Sequence, residues 1–395
     1  MYSYQRQMYL NRIAPYMWKQ LIKVLIGARR VGKSVLLSQI VDTLISQGIS
    51  PQDIISINKE HLEWEHIVSY KDLYHVVKNY KVICIDEIQE IAEREYALRD
   101  LQSKGWYDIY ITWSNAHLLS GELATYLGGR YISFEVYPFT FPEFCEAHAL
   151  PLEKSSFDTY MRIGGMPYLM HLWYEESLVK PYLKDIWDTI TLRDIIQRFK
   201  VKDIALFQML MRYLAYNIGT IFSAKNIADY HIRQWKPVST STVLKYLEYA
   251  KTSMVLYDAP RMHIKSKKLF EYKNKYYLVD TGLRNAIVGW LWEFLWWLLE
   301  QIVYMHLRVA WREVKVGEIG SHEVDFVCER DGKMMYIQVA YLLANEKTKN
   351  REFRSLLAIK DARPKYVLSL DEHLLQHGKG VMHRNIVDWL IEIVR

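Results

Sequence analysis

The stretch Gly27-Ala28-Arg29-Arg30-Val31-Gly32-Lys33-Ser34 constrains this chain more than any other. It has the form G-x-x-x-x-G-K-[ST], in which each position carries a physical task. The two glycines let the backbone curl so that its N–H groups converge on phosphate oxygens. Lys33 is placed to reach the β- and γ-phosphates, and the Ser34 hydroxyl to ligate a magnesium ion. Before the loop, Lys23 to Ile26 is β-prone. After it, Val35, Leu36, Ile40, Val41 and Leu44 recur at helical spacing, which predicts a helix over 31–44. A helix starting beneath the loop adds its positive dipole end to the anion site. The expected contact set for a nucleoside triphosphate is therefore Gly27, Ala28, Arg29, Arg30, Val31, Gly32, Lys33, Ser34 and Val35.

Further short apolar runs fit the same architecture. Ile54–Ile57, Lys81–Ile85, Ile109–Thr112 and Tyr131–Val136 read as strands, and Leu73–Val77 belongs to a helix between them. Strands alternating with helices indicate an α/β fold with a parallel sheet covered on both faces. The run Lys81–Ile85 is closed by Asp86-Glu87, and carboxylates at the carboxyl end of a parallel strand sit where ligands bind. Asp86, with Ser34, is the expected magnesium ligand, and Glu87 the residue that orients or deprotonates the attacking water. Ser114-Asn115, after the strand 109–112, offers Asn115 as a polar sensor of the γ-phosphate. The expected catalytic set is Glu87, Lys33 and Asn115. No base-reading motif separates ATP from GTP.

Beyond residue 150 the pattern changes. Residues 156–199 are mainly helical, and 204–218, 224–231 and 241–250 make three helical segments. β-like stretches follow at 254–258 and 276–279, the order of a winged helix. A long amphipathic helix is expected over 291–308, then strands near Val314, 324–327 and 336–339. The implied division is 1–150 for the phosphate-loop domain, 151–200 for a helical lid or linker, 201–288 for a winged-helix-like domain and 289–395 for a small α/β domain. The longest apolar run, Val288 to Leu299, is too short to span a bilayer and reads as a buried helix. Three well-separated cysteines give neither a disulfide framework nor a zinc spacing, and the N-terminus lacks an apolar targeting region, so a cytoplasmic setting without a membrane is expected.

Several blocks in order resemble the prokaryotic AAA-type P-loop ATPases that carry a C-terminal domain of unknown function. They are GARRVGKS, CIDEIQEI (84–91), LLSGELATYLGGRY (118–131), VYPFTFPEF (136–144), GGMPYL (164–169), YYLVDTGLRNAI (276–287), EVDFV (323–327) and YIQVAY (336–341). The resemblance implies ATP binding with Mg²⁺, a winged-helix-like middle and a nuclease-like C-terminal fold. Where that family has T-G-S-N, this chain reads Thr112-Trp113-Ser114-Asn115. The tryptophan is expected to wedge the sensor strand aside or to cap the pocket, sparing binding more than hydrolysis. Glu300, Asp325, Gln338 and Ala340 fall at positions resembling the PD-(D/E)xK nuclease pattern. Gln and Ala there replace a carboxylate and a lysine that metal-dependent cleavage needs, so an inherited fold without the activity is expected.

The resulting expectation is an ATPase whose nucleotide cycle switches its C-terminal domains on DNA or on a protein partner. The rival is a nucleotide-gated binding protein that does not hydrolyse. Ser239–Thr242 and Lys245 would face DNA from a recognition helix, and Arg261, His263, Lys265, Lys267 and Lys268 from a wing. The plainer reading of both is a helix cap and a solvated loop. Self-association would give Arg130 a place as an arginine finger across a subunit interface; its plainer reading is a surface salt bridge.

Overall fold

The computed structural model describes residues 4–114, 127–225, 227, 238–270, 274–290, 295–311, 313–374 and 380–394. They fall into two compact units, one of Met1–Tyr137 with Thr252–Met254, the other of Pro138–Lys251 with Val255–Arg395.

The first unit is built on β1 (Ile22–Ile26), β2 (Ile54–Asn58), β3 (Val82–Asp86), β4 (Asp108–Trp113) and β5 (Tyr131–Glu135). All pairings are parallel, in the order β2-β3-β4-β1-β5. Every residue of β1, β3 and β4 is buried, as expected for a parallel sheet covered by helices. Those helices are α1 (Gln7–Ile13), α2 (Lys33–Ser46), α3 (Tyr70–Val77) and α4 (Arg94–Lys104). A capping box between Ser69 and Asp72 opens α3. Because β4 lies between β1 and β3, the ends of three neighbouring strands carry the phosphate loop, Thr112–Trp113 and Asp86. At the opposite end of the sheet, Lys23 is fully buried against Asp108, which also accepts from the Tyr110 hydroxyl (2.8 Å) and the Trp18 N–H (3.1 Å).

The second unit begins with α5 (Phe141–Ala147), α6 (Lys154–Ile163), α7 (Glu176–Thr189, continued as a π-helix over Ile190–Gln197), α8 (Ile204–Tyr216) and α9 (Thr240–Thr252). Strands β6 (Leu256–Ala259), β7 (Arg261–His263) and β8 (Lys275–Leu278) follow, then α10 (Thr281–Val288) and α11 (Leu295–Trp311). The chain continues with β9 (Glu313–Ile319), β10 (His322–Arg330), β11 (Lys333–Val339), α12 (Glu346–Leu357), β12 (Lys365–Ser369), β13 (Val381–Asn385) and α13 (Ile386–Ile393). β6 pairs with β8, and the other strands form a mixed sheet in the order β13-β12-β11-β10-β9-β7. The apolar run at 288–299 is not one helix. Val288 ends α10, Gly289 follows at a positive φ of 80°, residues 291–294 lie outside the described residues, and the described part of α11 runs from Leu295. Among the described residues no helix is long and apolar enough to cross a membrane.

Two of the sequence blocks are explained by one close contact. Asp280 caps α10 by accepting from Leu283 N–H (2.9 Å), and its other oxygen accepts from Gly165 N–H at 2.7 Å. A Cβ on Gly164, which has φ +77°, would lie 2.2 Å from that carboxylate. GGMPYL and VDTGL thus meet backbone to side chain, and no larger residue fits.

His306 on α11 joins this unit to the start of α5. Its Nε2 accepts from Phe141 N–H (2.9 Å) while Nδ1 donates to Ile302 O (2.8 Å), a pattern only the neutral ring can make. Burial lowers its pKa from 6.5 to about 4. Its contribution is therefore complete above about pH 6.5 and is lost as pH falls through 4, to a limit of about 3 kcal/mol. We expect the urea midpoint of the parent chain to drop between pH 7 and 4.5 more than that of His306→Gln. Equal drops would remove this assignment.

Candidate functional site

The phosphate loop closes over a tight backbone approach. A Cβ on Gly27 would sit 2.3 Å from the Val136 carbonyl oxygen, so glycine is required where the loop leaves β1. The Val136 N–H in turn donates to Ile26 O at 2.7 Å. Arg30 (φ 68°) and Gly32 (φ 92°) take left-handed conformations that bend the chain into α2, which starts at Lys33. Lys33 is buried, and its ammonium is held by the carbonyls of Gly27 (3.0 Å) and Ala28 (2.9 Å) across the loop. Arg29 reaches outward to Glu60 at 3.5 Å.

The end of β3 meets this loop directly. Asp86 is buried and accepts a hydrogen bond from the Thr112 hydroxyl at 2.5 Å, with the Ser34 side chain close enough to lower its pKa. Burial raises its carboxyl above the ordinary range, with Glu87 adding to the rise; Ser34, Thr112 and Lys33 work against it. A buried carboxylate disfavoured as a bare anion is one that a cation would stabilise.

Glu87 sits in the left-handed region at φ 55°, uncommon for a non-glycine residue and frequent at functional sites. Three groups hold it. Its N–H donates to Thr112 Oγ1 (2.9 Å), Ser114 Oγ donates to its Oε1 (2.7 Å), and Gln89 donates to its Oε2. Thr112 and Gln89 are not among the expected site residues, and Ser114 is expected only with Asn115 as a sensor of the γ-phosphate, not as a partner of Glu87. The readable signal was hydroxyls at the end of a buried strand, one of them beside the carboxylate strand.

Trp113 neither wedges the strands apart nor caps the pocket. β4 keeps its register with β1 through the pair Ile26–Trp113. Alternation along the strand turns the indole to the side opposite Thr112 and Ser114, where it is buried beneath the Arg94 guanidinium at 4.5 Å. Asn115 lies outside the described residues. Arg130 is exposed at the far end of the sheet, its carbonyl accepting from Ile22 N–H (3.0 Å). It stands about one strand length, ~13 Å, from the phosphate-loop end.

In the second unit, Glu300 and Asp325 do come together, and Lys275 stands between them. Its buried ammonium lies 2.9 Å from Glu300, 2.8 Å from Glu323 and 3.5 Å from Asp325. Tyr277 donates to Glu300 (2.6 Å) and Val339 N–H to Asp325 (2.9 Å). Burial alone would lower the Lys275 pKa, but the charges of Glu300, Asp325 and Glu323 outweigh it and keep the amine protonated. Asp325 is pushed well above the carboxylate range by burial and by Glu300. Gln338 is spent on Glu352 (3.0 Å) and Ser355 (3.2 Å). Among the described residues no group of three or more His, Cys, Asp or Glu is arranged to hold a metal ion.

The basic stretch 261–268 does not form a free wing. Arg261–His263 is the edge strand β7, parallel to β9, and Arg261 pairs with Glu318 at 2.9 Å and lies 3.8 Å from Glu323. Lys265, Lys267 and Lys268 are exposed on the turn that follows. Ser239 accepts from Thr242 N–H (3.2 Å) at the start of α9, with the Ser241 and Thr242 hydroxyls within 2.9 Å, so this hydroxyl cluster caps the helix. Most of the intervening segment 224–231 lies outside the described residues.

Comparison with known proteins places an AAA domain over residues 19–145 and a domain of unknown function (DUF8612) over residues 154–293. An uncharacterized protein of Haemophilus influenzae is 32% identical over 398 residues, 98% of each chain. An uncharacterized protein of Methanocaldococcus jannaschii is 28% identical over 363 residues, covering 87% of this chain and 79% of its own. Among solved structures, AMPPCP-bound DnaA from Aquifex aeolicus is matched at 14% identity and a TM-score of 0.33, over 62% of this chain and 87% of that one.

Proposed function

Because the chain belongs to the family of that Haemophilus influenzae protein and carries an AAA-type P-loop ATPase domain, we propose that it hydrolyses ATP and uses the cycle to switch its second unit on a partner. The observation that carries this reading is the link between the carboxylates at the end of β3 and the end of β4: Thr112 Oγ1 donates to Asp86 (2.5 Å) and accepts from the Glu87 N–H (2.9 Å). A change at the γ-phosphate would thereby be felt at β3 and β4 together.

In this reading the N–H groups of the loop and Lys33 hold the phosphates, Lys33 leaving the carbonyls of Gly27 and Ala28 to do so. Glu87 orients and deprotonates the attacking water, its carboxylate fixed by Ser114 and Gln89. Asn115 is assigned to the γ-phosphate. The Ser34 hydroxyl and the Asp86 carboxylate form a hard oxygen donor set that fits Mg²⁺. When bound, Mg²⁺ would neutralise charge on the phosphate oxygens.

Single-turnover phosphate release from bound ATP tests the proposal on the full chain. Binding without release would assign the chain to the nucleotide-gated, non-hydrolysing class. Trp113→Gly should not raise turnover, because the indole faces away from Thr112 and Ser114. It should instead cost about 3–5 kcal/mol of stability as a core truncation; a faster enzyme would return Trp113 to the pocket.

For the partner, Lys245, Lys265, Lys267 and Lys268 are the exposed cations that would meet nucleic-acid phosphates. Affinity for duplex DNA that falls steeply with salt would assign the partner as DNA. A flat response would assign it as protein. Nuclease chemistry is not part of the proposal, since the Lys275 ammonium already occupies the space between the carboxyl groups that a metal would need.

A further inference from the structure

We infer that Arg6 is a positioning residue of the nucleotide site: it orients the Val31–Gly32 peptide so that the Gly32 N–H faces a bound phosphate. This makes the segment 4–6 part of the site, and it rests on the phosphate-loop reading above.

Arg6 lies just before α1 and is only 3% exposed. Its Nη1 donates to Tyr137 O at 2.9 Å and to Val31 O at 3.4 Å. One cation thus bridges the crest of the phosphate loop and the residue that follows Val136, against whose carbonyl Gly27 is packed. The guanidinium is stacked 4.5 Å over the Tyr9 ring, and the Tyr9 hydroxyl accepts from Tyr137 N–H at 3.0 Å. The backbone of the segment is fixed as well. Gln39 on α2 accepts from Arg6 N–H (3.0 Å) and donates to Tyr4 O (2.8 Å).

The consequence follows from peptide geometry. In a trans peptide the C=O and the next N–H point in opposite directions. Drawing the Val31 carbonyl toward the buried Arg6 guanidinium aims the Gly32 N–H away from Arg6. On the phosphate-loop reading, that is the side from which a curled glycine loop binds phosphate. A lysine keeps the charge but not the planar fork that stacks on Tyr9 while donating to two carbonyls. By linkage, if the docked segment favours nucleotide, nucleotide must favour the docked segment by the same factor.

The test measures ATP affinity in the presence of Mg²⁺, phosphate release at saturating ATP, and trypsin cleavage after Arg6, all on the full chain. Arg6→Ala should weaken ATP binding about 10–100-fold, the worth of one charged hydrogen bond, and Arg6→Lys should recover part of that loss. In both variants kcat at saturation should change less than affinity, since the effect is on binding geometry. Gln39→Leu keeps the arginine but frees its backbone, so ATP should bind more weakly and protect Arg6 from trypsin less. Parent-like affinity in a folded Arg6→Ala overturns the inference. If Arg6→Ala does not fold, parent-like affinity and protection in Gln39→Leu overturn it instead. A parent chain that binds no ATP would remove the phosphate-loop reading itself, a separate and recognisable outcome.

Discussion

Glu87→Gln is expected to bind ATP as tightly as the parent chain and to release phosphate about 10²–10⁴-fold more slowly, the usual worth of a positioned general base. The amide preserves the size of the side chain, and its oxygen can still accept from Ser114 or Gln89, so the left-handed turn at φ 55° and the bond from Glu87 N–H to Thr112 should persist. What it loses is the capacity to take a proton. Lys33→Met gives the complementary result, with binding itself lost. Equilibrium binding and single-turnover hydrolysis on the two variants separate these roles. A Glu87→Gln protein that turns over at the parent rate would move the base elsewhere, and a Lys33→Met protein that binds normally would remove the phosphate loop from the site.

The second large effect is on stability. Lys275→Met should destabilise the second unit by about 3–5 kcal/mol, the cost of leaving buried charges without their partner. Glu300 and Asp325 are both nearly inaccessible, and the lysine is the cation between them. The double variant Lys275→Met with Glu300→Gln should recover part of the loss, because it removes the charge that Lys275→Met strands. Denaturant midpoints of the single and double variants check this. A single variant as stable as the parent would mean that the carboxyls simply take up protons at little cost.

The phosphate-loop half of the molecule was legible because its signals are local. A strand, a glycine loop and a helix follow one another in sequence, and Asp86-Glu87 ends a run apolar enough to be a buried strand. The contacts that complete the site are not local. Arg6 meets Val31 and Tyr137 across long stretches of chain, and an arginine in a polar N-terminal segment reads as solvated. Lys275 begins a strand, where a lysine is ordinary, and only the fold brings Glu300, Glu323 and Asp325 around it. The basic run at 261–268 was only half legible for the same reason. Its charge pattern allowed a wing or a solvated loop; Lys265, Lys267 and Lys268 do lie on an exposed turn, but β7 pairs with a strand some fifty residues later and Arg261 pairs with Glu318. Trp113 shows the limit of reading a substitution by size alone, because strand alternation decides which side receives the bulk. The last strands are short runs, and the pairing of β12 with β11 and of β13 with β12 depends on tertiary context.

The contact of Gly27 with the Val136 carbonyl also fixes when the site can exist. The loop's first glycine is shaped by a strand that is synthesised long after it. At about 5–20 residues per second, a ribosome needs roughly 5–20 s to pass from the loop to Tyr137. During that interval the nascent chain exposes GARRVGKS without the β5 edge that curls it. Nucleotide cannot act as a folding template for the early strands; it can only select the sheet once β5 has docked. A truncation that ends before Val136 should therefore emerge as a chain blind to ATP, however intact its signature appears.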